Sequence, residues 1–198
     1  SVGMQAQRFD AAGAKVGTEF LINQTTTGNQ SSGSAAALSN GDFVVGWSGN
    51  GTGDDAGAFT RVFDVAADPT PVPTGNDIQV NTHTSSAQWF PSVAALGDGG
   101  FVVTWTSFEQ DGSSWGVYGQ RFDAAGVAAG GEFRVNTTTF TSQFYSSVAA
   151  LDGGGFVVTW HSDNQDSGTT GVYGQRYDAA GTPAGSEFRI NTYAPDGQ

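Results

Sequence analysis

Short apolar runs alternate with polar, glycine-rich stretches along the chain, and the runs return at a fixed step. Gly100-Phe101-Val102-Val103-Thr104-Trp105 and Gly155-Phe156-Val157-Val158-Thr159-Trp160 stand 55 residues apart, and Asp42-Phe43-Val44-Val45-Gly46-Trp47 lies 58 before the first. Asn81-Thr82, Asn136-Thr137 and Asn191-Thr192 keep the same step, as do Gln120-Arg121-Phe122-Asp123 and Gln175-Arg176-Tyr177-Asp178, with Gln7-Arg8-Phe9-Asp10 as an earlier copy. Each unit holds four strand-sized segments separated by Gly, Asn and Asp turns, and helical spacing of apolar residues is nowhere sustained. The pattern therefore predicts an all-β protein.

Four antiparallel strands in about 55 residues, repeated, predict the blades of a β-propeller. The run Phe-Val-Val-Thr-Trp suits a central strand covered on both faces, and Ser-Val-Ala-Ala-Leu suits close approach near the axis. A β-sandwich stack or a solenoid is the alternative architecture. Residues 1–198 read as one array: a partial unit at 1–18, repeats at 19–76, 77–131 and 132–186, and the start of another unit at 187–198. The first repeat is degenerate and carries a proline-rich insertion over 65–76. Three full repeats plus a strand at each end give fourteen strands, or three and a half blades. Closure is therefore expected to come from another copy of the chain, two copies making a ring of seven, or from further repeats of a longer parent.

The repeat resembles that of very large secreted bacterial proteins of the RTX-type adhesin and haemolysin-like calcium-binding group. The residues that carry the likeness are Gly-Phe-Val-Val-Thr-Trp, Val-Tyr-Gly-Gln-Arg-Phe-Asp-Ala-Ala-Gly and Glu-Phe-Arg-Val-Asn-Thr. The likeness implies an extracellular module at a bacterial cell surface. The glycine-rich nonapeptide of the RTX calcium rolls is absent, so roll-type calcium binding is not implied.

Composition narrows the partners. The 198 residues include 19 acidic and 7 basic side chains, no cysteine, and a formal net charge of −12. That field opposes phosphate backbones and anionic lipid, so no nucleic acid and no membrane insertion are expected. The lack of cysteine suits an exported protein that folds without disulfides.

Candidate chemistry sits in the loops. Aromatic faces beside amides are how sugars are gripped, rings stacking on CH faces while amides bond hydroxyls. That reading selects Trp89, Phe90, Phe144 and Tyr145, with Gln88 and Gln143, as a ligand surface repeated at several equivalent rims, and Trp115 as an exposed contact. The loops after the Trp strands carry Glu109, Asp111, Asp163 and Asp166, oxygen donors that suit Ca²⁺. They equally suit turns in which Asp caps backbone N–H groups, as in the Asp-box of sialidase-like propellers. Asp10, Asp64, Asp123 and Asp178 open the recurring turns and are expected to be structural. Arg8, Arg121 and Arg176 are expected to pair with Glu19, Asp77, Glu132 and Glu187 across strands or blades.

Two histidines at different unit positions exclude a repeated His metal cluster, and no nucleophile elbow, HExxH helix or phosphate loop occurs. The expectation is a non-enzymatic recognition or adhesion module, lectin-like, that binds a glycan or cell-surface polysaccharide. A self-assembling structural repeat and a carbohydrate-active propeller enzyme are the alternatives.

Overall fold

The computed structural model describes residues 3–65, 69–165 and 170–192. The described residues form strands and no helix. A first antiparallel ribbon joins β1 (Gln5–Phe9) to β2 (Lys15–Leu21). Three larger antiparallel sheets follow. Blade 1 runs through β3 (Gln30–Ala37), β4 (Phe43–Gly51) and β5 (Asp54–Asp64), and its outer edge is divided between β6 (Val72–Pro73) and β7 (Ile78–Gln79). Blade 2 has β8 (Gln88–Ala95), β9 (Phe101–Phe108), β10 (Trp115–Phe122) and β11 (Phe133–Arg134). Blade 3 repeats it with β12 (Gln143–Ala150), β13 (Phe156–Asp163), β14 (Thr170–Tyr177) and β15 (Phe188–Arg189).

These are the four-stranded blades of a β-propeller, phased differently from the sequence units. Phe133-Arg134, at the head of the unit 132–186, pairs back onto Gly119 and Tyr118 of the preceding unit. Phe188-Arg189 does the same with Gly174 and Tyr173. Each blade thus takes its outermost strand from the start of the next unit. Among the described residues this makes one outer half-blade, β1–β2, followed by three whole blades, the expected three and a half, with each blade boundary one strand later than the unit boundary.

The Asp-led turns bring those outer strands back. Asp123 Oδ1 accepts from the N–H groups of Ala125 and Val127, each at 2.9 Å. Asp10 and Asp178 bond the equivalent amides at 2.8–2.9 Å. Gly13, Gly126 and Gly181 close these turns at φ of 80–82°, where a side chain is strained.

Packing lies between blades. One cluster joins Val44, Val62 and Val80 of blade 1 to Phe101, Val103 and Trp105 of blade 2. A second joins Val102, Val117 and Val135 of blade 2 to Phe156, Val158 and Trp160 of blade 3. A third seats Phe20 and Ile22 of the ribbon against Val45, Trp47, Phe59 and Phe63. β9 is buried on both faces for this reason, which explains its unbroken apolar run. The innermost strands β3, β8 and β12 run side by side. Val93 N–H donates to Ser34 Oγ and Val148 N–H to Ser92 Oγ, both at 3.2 Å, an approach that their small alanine neighbours permit.

Within each blade the leading Phe of the second strand stacks on the last aromatic of the third. Phe43 meets Phe63 at 5.1 Å, Phe101 meets Phe122 at 5.1 Å and Phe156 meets Tyr177 at 4.7 Å, with ring planes 7–16° apart. Removing such a ring leaves a cavity. Phe101→Ala should lower unfolding free energy by about 3–5 kcal/mol in urea titration.

Candidate functional site

The blade-capping carboxylates serve the seams rather than arginine. Glu132 Oε2 accepts from Thr82 N–H at 2.6 Å and Thr82 Oγ1 at 3.0 Å, and Glu187 repeats this with Thr137 at 2.7 and 2.9 Å. Each ties the head of an outer strand to the preceding blade. Arg121 turns to Asp98, at 2.8 Å, and to the Ala180 carbonyl at 2.9 Å. The expected pairing of Arg121 with a strand-head carboxylate is therefore corrected. Arg61 and Asp77, 3.7 Å apart, make the one such contact found among the described residues.

A second seam device involves two of the expected ligand residues. Asn81 and Asn136 each accept a backbone N–H from the third strand of their blade, from Ala58 at 2.8 Å and Val117 at 2.7 Å. Their Nδ2 groups donate at 3.2 Å to Gln88 Oε1 and Gln143 Oε1 on the next blade. The glutamine Nε2 groups then donate to the Ser85 and Phe140 carbonyls, at 3.3 and 2.9 Å. Gln88 and Gln143 are fully buried and their amides are occupied, so they do not reach the rim. The signal was present in the sequence: an Asn followed seven residues later by Gln recurs in successive units, and repetition marks scaffold.

The aromatic residues do come together. Trp89, Phe90, Trp115, Phe144 and Tyr145, with Thr106 and Ser142, line a cleft of about 320 Å³ between blades 2 and 3. The rings form a continuous run. Phe108 meets Trp115 at 4.8 Å, Trp115 meets Trp89 at 5.2 Å, Phe90 meets Tyr145 at 4.7 Å and Tyr145 meets Phe144 at 4.9 Å. Trp89 and Tyr145 remain 42% and 52% exposed, so their apolar surface is open to a ligand. Trp115 is half-buried between two other rings instead of standing alone on its loop.

Backbone geometry aims these rings. The pairing of β8 with β9 shifts register between Trp89 and Ser92, and that of β12 with β13 between Phe144 and Ser147. At these bulges Phe90 and Tyr145 sit at φ of 56° and 55°. A bulky residue in the left-handed region is an outlier that costs roughly 1–3 kcal/mol, and bulges of this kind re-aim side chains. Strand alternation would send neighbouring rings to opposite faces. The bulge lets Trp89 and Phe90, and Phe144 and Tyr145, line one cleft.

Blade 1 keeps the bulge, with Ser32 at φ 59°, but not the rings. Ser31, Ser32, Ser48 and Ala56 stand where blade 2 has Trp89, Phe90, Thr106 and Trp115. Among the described seams, aromatic lining from both sides occurs between blades 2 and 3, so the expectation of several equivalent rims is corrected to one cleft. Thr106 and Ser142, its hydroxyl lining, were not anticipated. Thr106 Oγ1 accepts from Tyr145 N–H at 3.2 Å, and Ser142 Oγ bonds Ser114 Oγ at 3.1 Å.

Glu109, Asp111 and Asp163 are not among the residues that line the cleft, though their loops border it: Asp163 N–H donates to the Ser142 carbonyl at 2.9 Å. Glu109 is exposed in a tight turn, with its N–H on the Ser114 carbonyl at 2.6 Å. Asp111 Oδ1 accepts from Ser113 N–H at 3.2 Å, and Asp163 Oδ1 from Thr170 Oγ1 at 3.0 Å. Asp166 lies outside the described residues. Among those described, no three His, Cys, Asp or Glu side chains converge as metal ligands would.

No family model and no curated protein matches the chain. Among solved structures it is similar to an endo-arabinase from Bacteroides thetaiotaomicron VPI-5482, with TM-score 0.57 and 14% identity over 90% of this chain and 68% of that one. A protein of unknown function from Dyadobacter fermentans DSM 18053 gives TM-score 0.59 and 12% identity, over 82% of this chain and 55% of that one. The GH43 endo-arabinanase from Bacillus licheniformis gives 0.50 and 14%, over 83% and 60%. At such identities the likeness is one of fold, the β-propeller. The chain spans about half to two-thirds of the length of these structures.

Two predictions follow from the site's surroundings. Gln143→Ala leaves Asn136 Nδ2 short of a partner inside the seam, and should cost about 1–3 kcal/mol in denaturant titration. Burial, with Asp111 adding, pushes the Tyr118 phenol up to about 12, and burial with Glu187 raises Tyr177 as well. Raised folded-state values mean that the native chain holds these protons longer than the unfolded one. Stability should therefore be full below the unfolded tyrosine value of about 10 and fall as pH climbs from there towards about 12. Urea midpoints across that range should fall less steeply in Tyr118→Phe.

Proposed function

We propose that this chain is a non-catalytic carbohydrate-binding module of a bacterial cell surface, whose site is the aromatic cleft between blades 2 and 3. The observation that carries the reading is the run of open rings held there by two strained bulges. The bulge itself recurs in blade 1 with Ser32, so what supports a ligand is the bulky aromatic that blades 2 and 3 place in it, where a small residue serves the fold. Rings of this size offer flat apolar surface to the CH face of a sugar. The cleft's exposed edge and modest volume suit a segment of a polysaccharide rather than an enclosed small molecule.

Charge favours a neutral sugar. None of the lining residues carries a carboxylate, an ammonium, a guanidinium or an imidazole. The overall charge of −12 repels uronates and sulfated chains. The lining also lacks the two carboxylates, about 5–9.5 Å apart, that glycoside cleavage uses. This supports binding over hydrolysis, although two of the fold's similar structures are endo-arabinases by name.

Calorimetry against a panel of neutral and acidic polysaccharides tests the reading. A neutral polysaccharide should bind, and Trp115→Ala and Trp89→Ala should each weaken it about tenfold or more, since each removes a stacking face. Binding unchanged by both substitutions, or preference for acidic chains, contradicts the assignment. Release of reducing ends from the bound polysaccharide contradicts its non-catalytic part.

A further inference from the structure

The ribbon β1–β2 matches the outer half of a blade in register. Gln5 faces Leu21, Ala6 faces Phe20 and Phe9 faces Lys15, just as Tyr118 faces Arg134, Gly119 faces Phe133 and Phe122 faces Ala128 in blade 2. It is also seated like one. Phe20 packs on Phe43 and Phe63 at 6.1 and 5.7 Å, as Phe133 packs on Phe156 and Tyr177 at 6.3 and 5.2 Å.

The inner half of this blade is missing from the described residues. β1 pairs with β2 alone, and its other edge, which in β10 bonds to β9, borders a groove of about 380 Å³. Met4, Ala6, Gly33, Ala35, Ala37 and Val45 are among its walls. Phe9 shows what is lacking. Its counterparts Phe63, Phe122 and Tyr177 are 0–4% exposed, each stacked on the Phe that opens the second strand. Phe9 has no such ring and is 59% exposed.

We propose that the groove beside β1 is a docking site for a β-hairpin of this repeat's own chemistry, supplied by polypeptide outside residues 1–198. Its first strand is small and alanine-rich, to lie against β3. Its second strand opens with an aromatic that stacks on Phe9 and continues as an apolar run hydrogen-bonded to β1. The three internal blades show the same occupant in the same place each time. A second copy of the chain does not fit, because its free half is another outer half, and two outer halves do not make a blade. This inference does not depend on the sugar reading.

A synthetic peptide with the sequence of residues 30–50, which forms β3 and β4 in blade 1, serves as the probe. Calorimetry should show binding with one peptide per chain, and hydrogen exchange should show protection gained by the β1 amides. Phe9→Ala, an exposed position that leaves the fold intact, should weaken binding about tenfold, as should replacing the peptide's own Phe43 by Ala. No binding at millimolar peptide overturns the proposal, as does binding indifferent to Phe9. A dimer of the chain alone that shields Phe9 overturns it in favour of self-pairing.

Discussion

Every blade presents two apolar faces, and the fold depends on covering both. A four-stranded sheet of this kind has no interior of its own. Its valines, phenylalanines and tryptophans are buried only when the neighbouring blade is present, so the hydrophobic term resides in the seams. Two devices satisfy polar groups at the seams between whole blades, the Asn–Gln clamp and the carboxylate on the Asn-Thr amide, whereas the indole N–H groups of Trp47, Trp105 and Trp160 are buried with no hydrogen-bond partner among the described residues. These devices recur because each seam poses the same problem. Trp105 and Trp160 occupy the middle of adjoining blades, fully buried, as Trp47 does in blade 1.

The proposed function rests on where the recurrence breaks. The bulge at the start of the innermost strand belongs to the scaffold, since blade 1 has it with serine. Blades 2 and 3 load that bulge with aromatic pairs, and Trp115 adds a ring from the loop edge. The result is one asymmetric cleft on a repeating frame. A device needed for folding appears in each unit, whereas a binding site needs to appear once.

Much of this was legible in the residues. The Phe-Val-Val-Thr-Trp strands, the Asp-led turns and the aromatic candidates all follow from local chemistry. The phase of the blades does not, because a periodic sequence can be cut at any strand. A two-residue outer strand such as β11 pairs backward only once the Asp123 turn has folded it there. Sequence alone does not separate a sugar contact from a seam clamp at Gln88 and Gln143, because an amide beside a ring suits either a hydroxyl or a buried partner. Their bonding to Asn81 and Asn136 decides which. The arginine pairing failed for a related reason: a strand-head carboxylate beside unpaired backbone N–H groups is already well served, and Arg121 finds Asp98 instead.

Backbone chemical-shift mapping with a neutral oligosaccharide tests the central claim most directly, because it locates a ligand without assuming its affinity. The account predicts shifts confined to Trp89, Phe90, Thr106, Trp115, Ser142, Phe144 and Tyr145 and their immediate neighbours. Saturable shifts centred on the serine-lined seam between blades 1 and 2, or on the acidic loops, would contradict it.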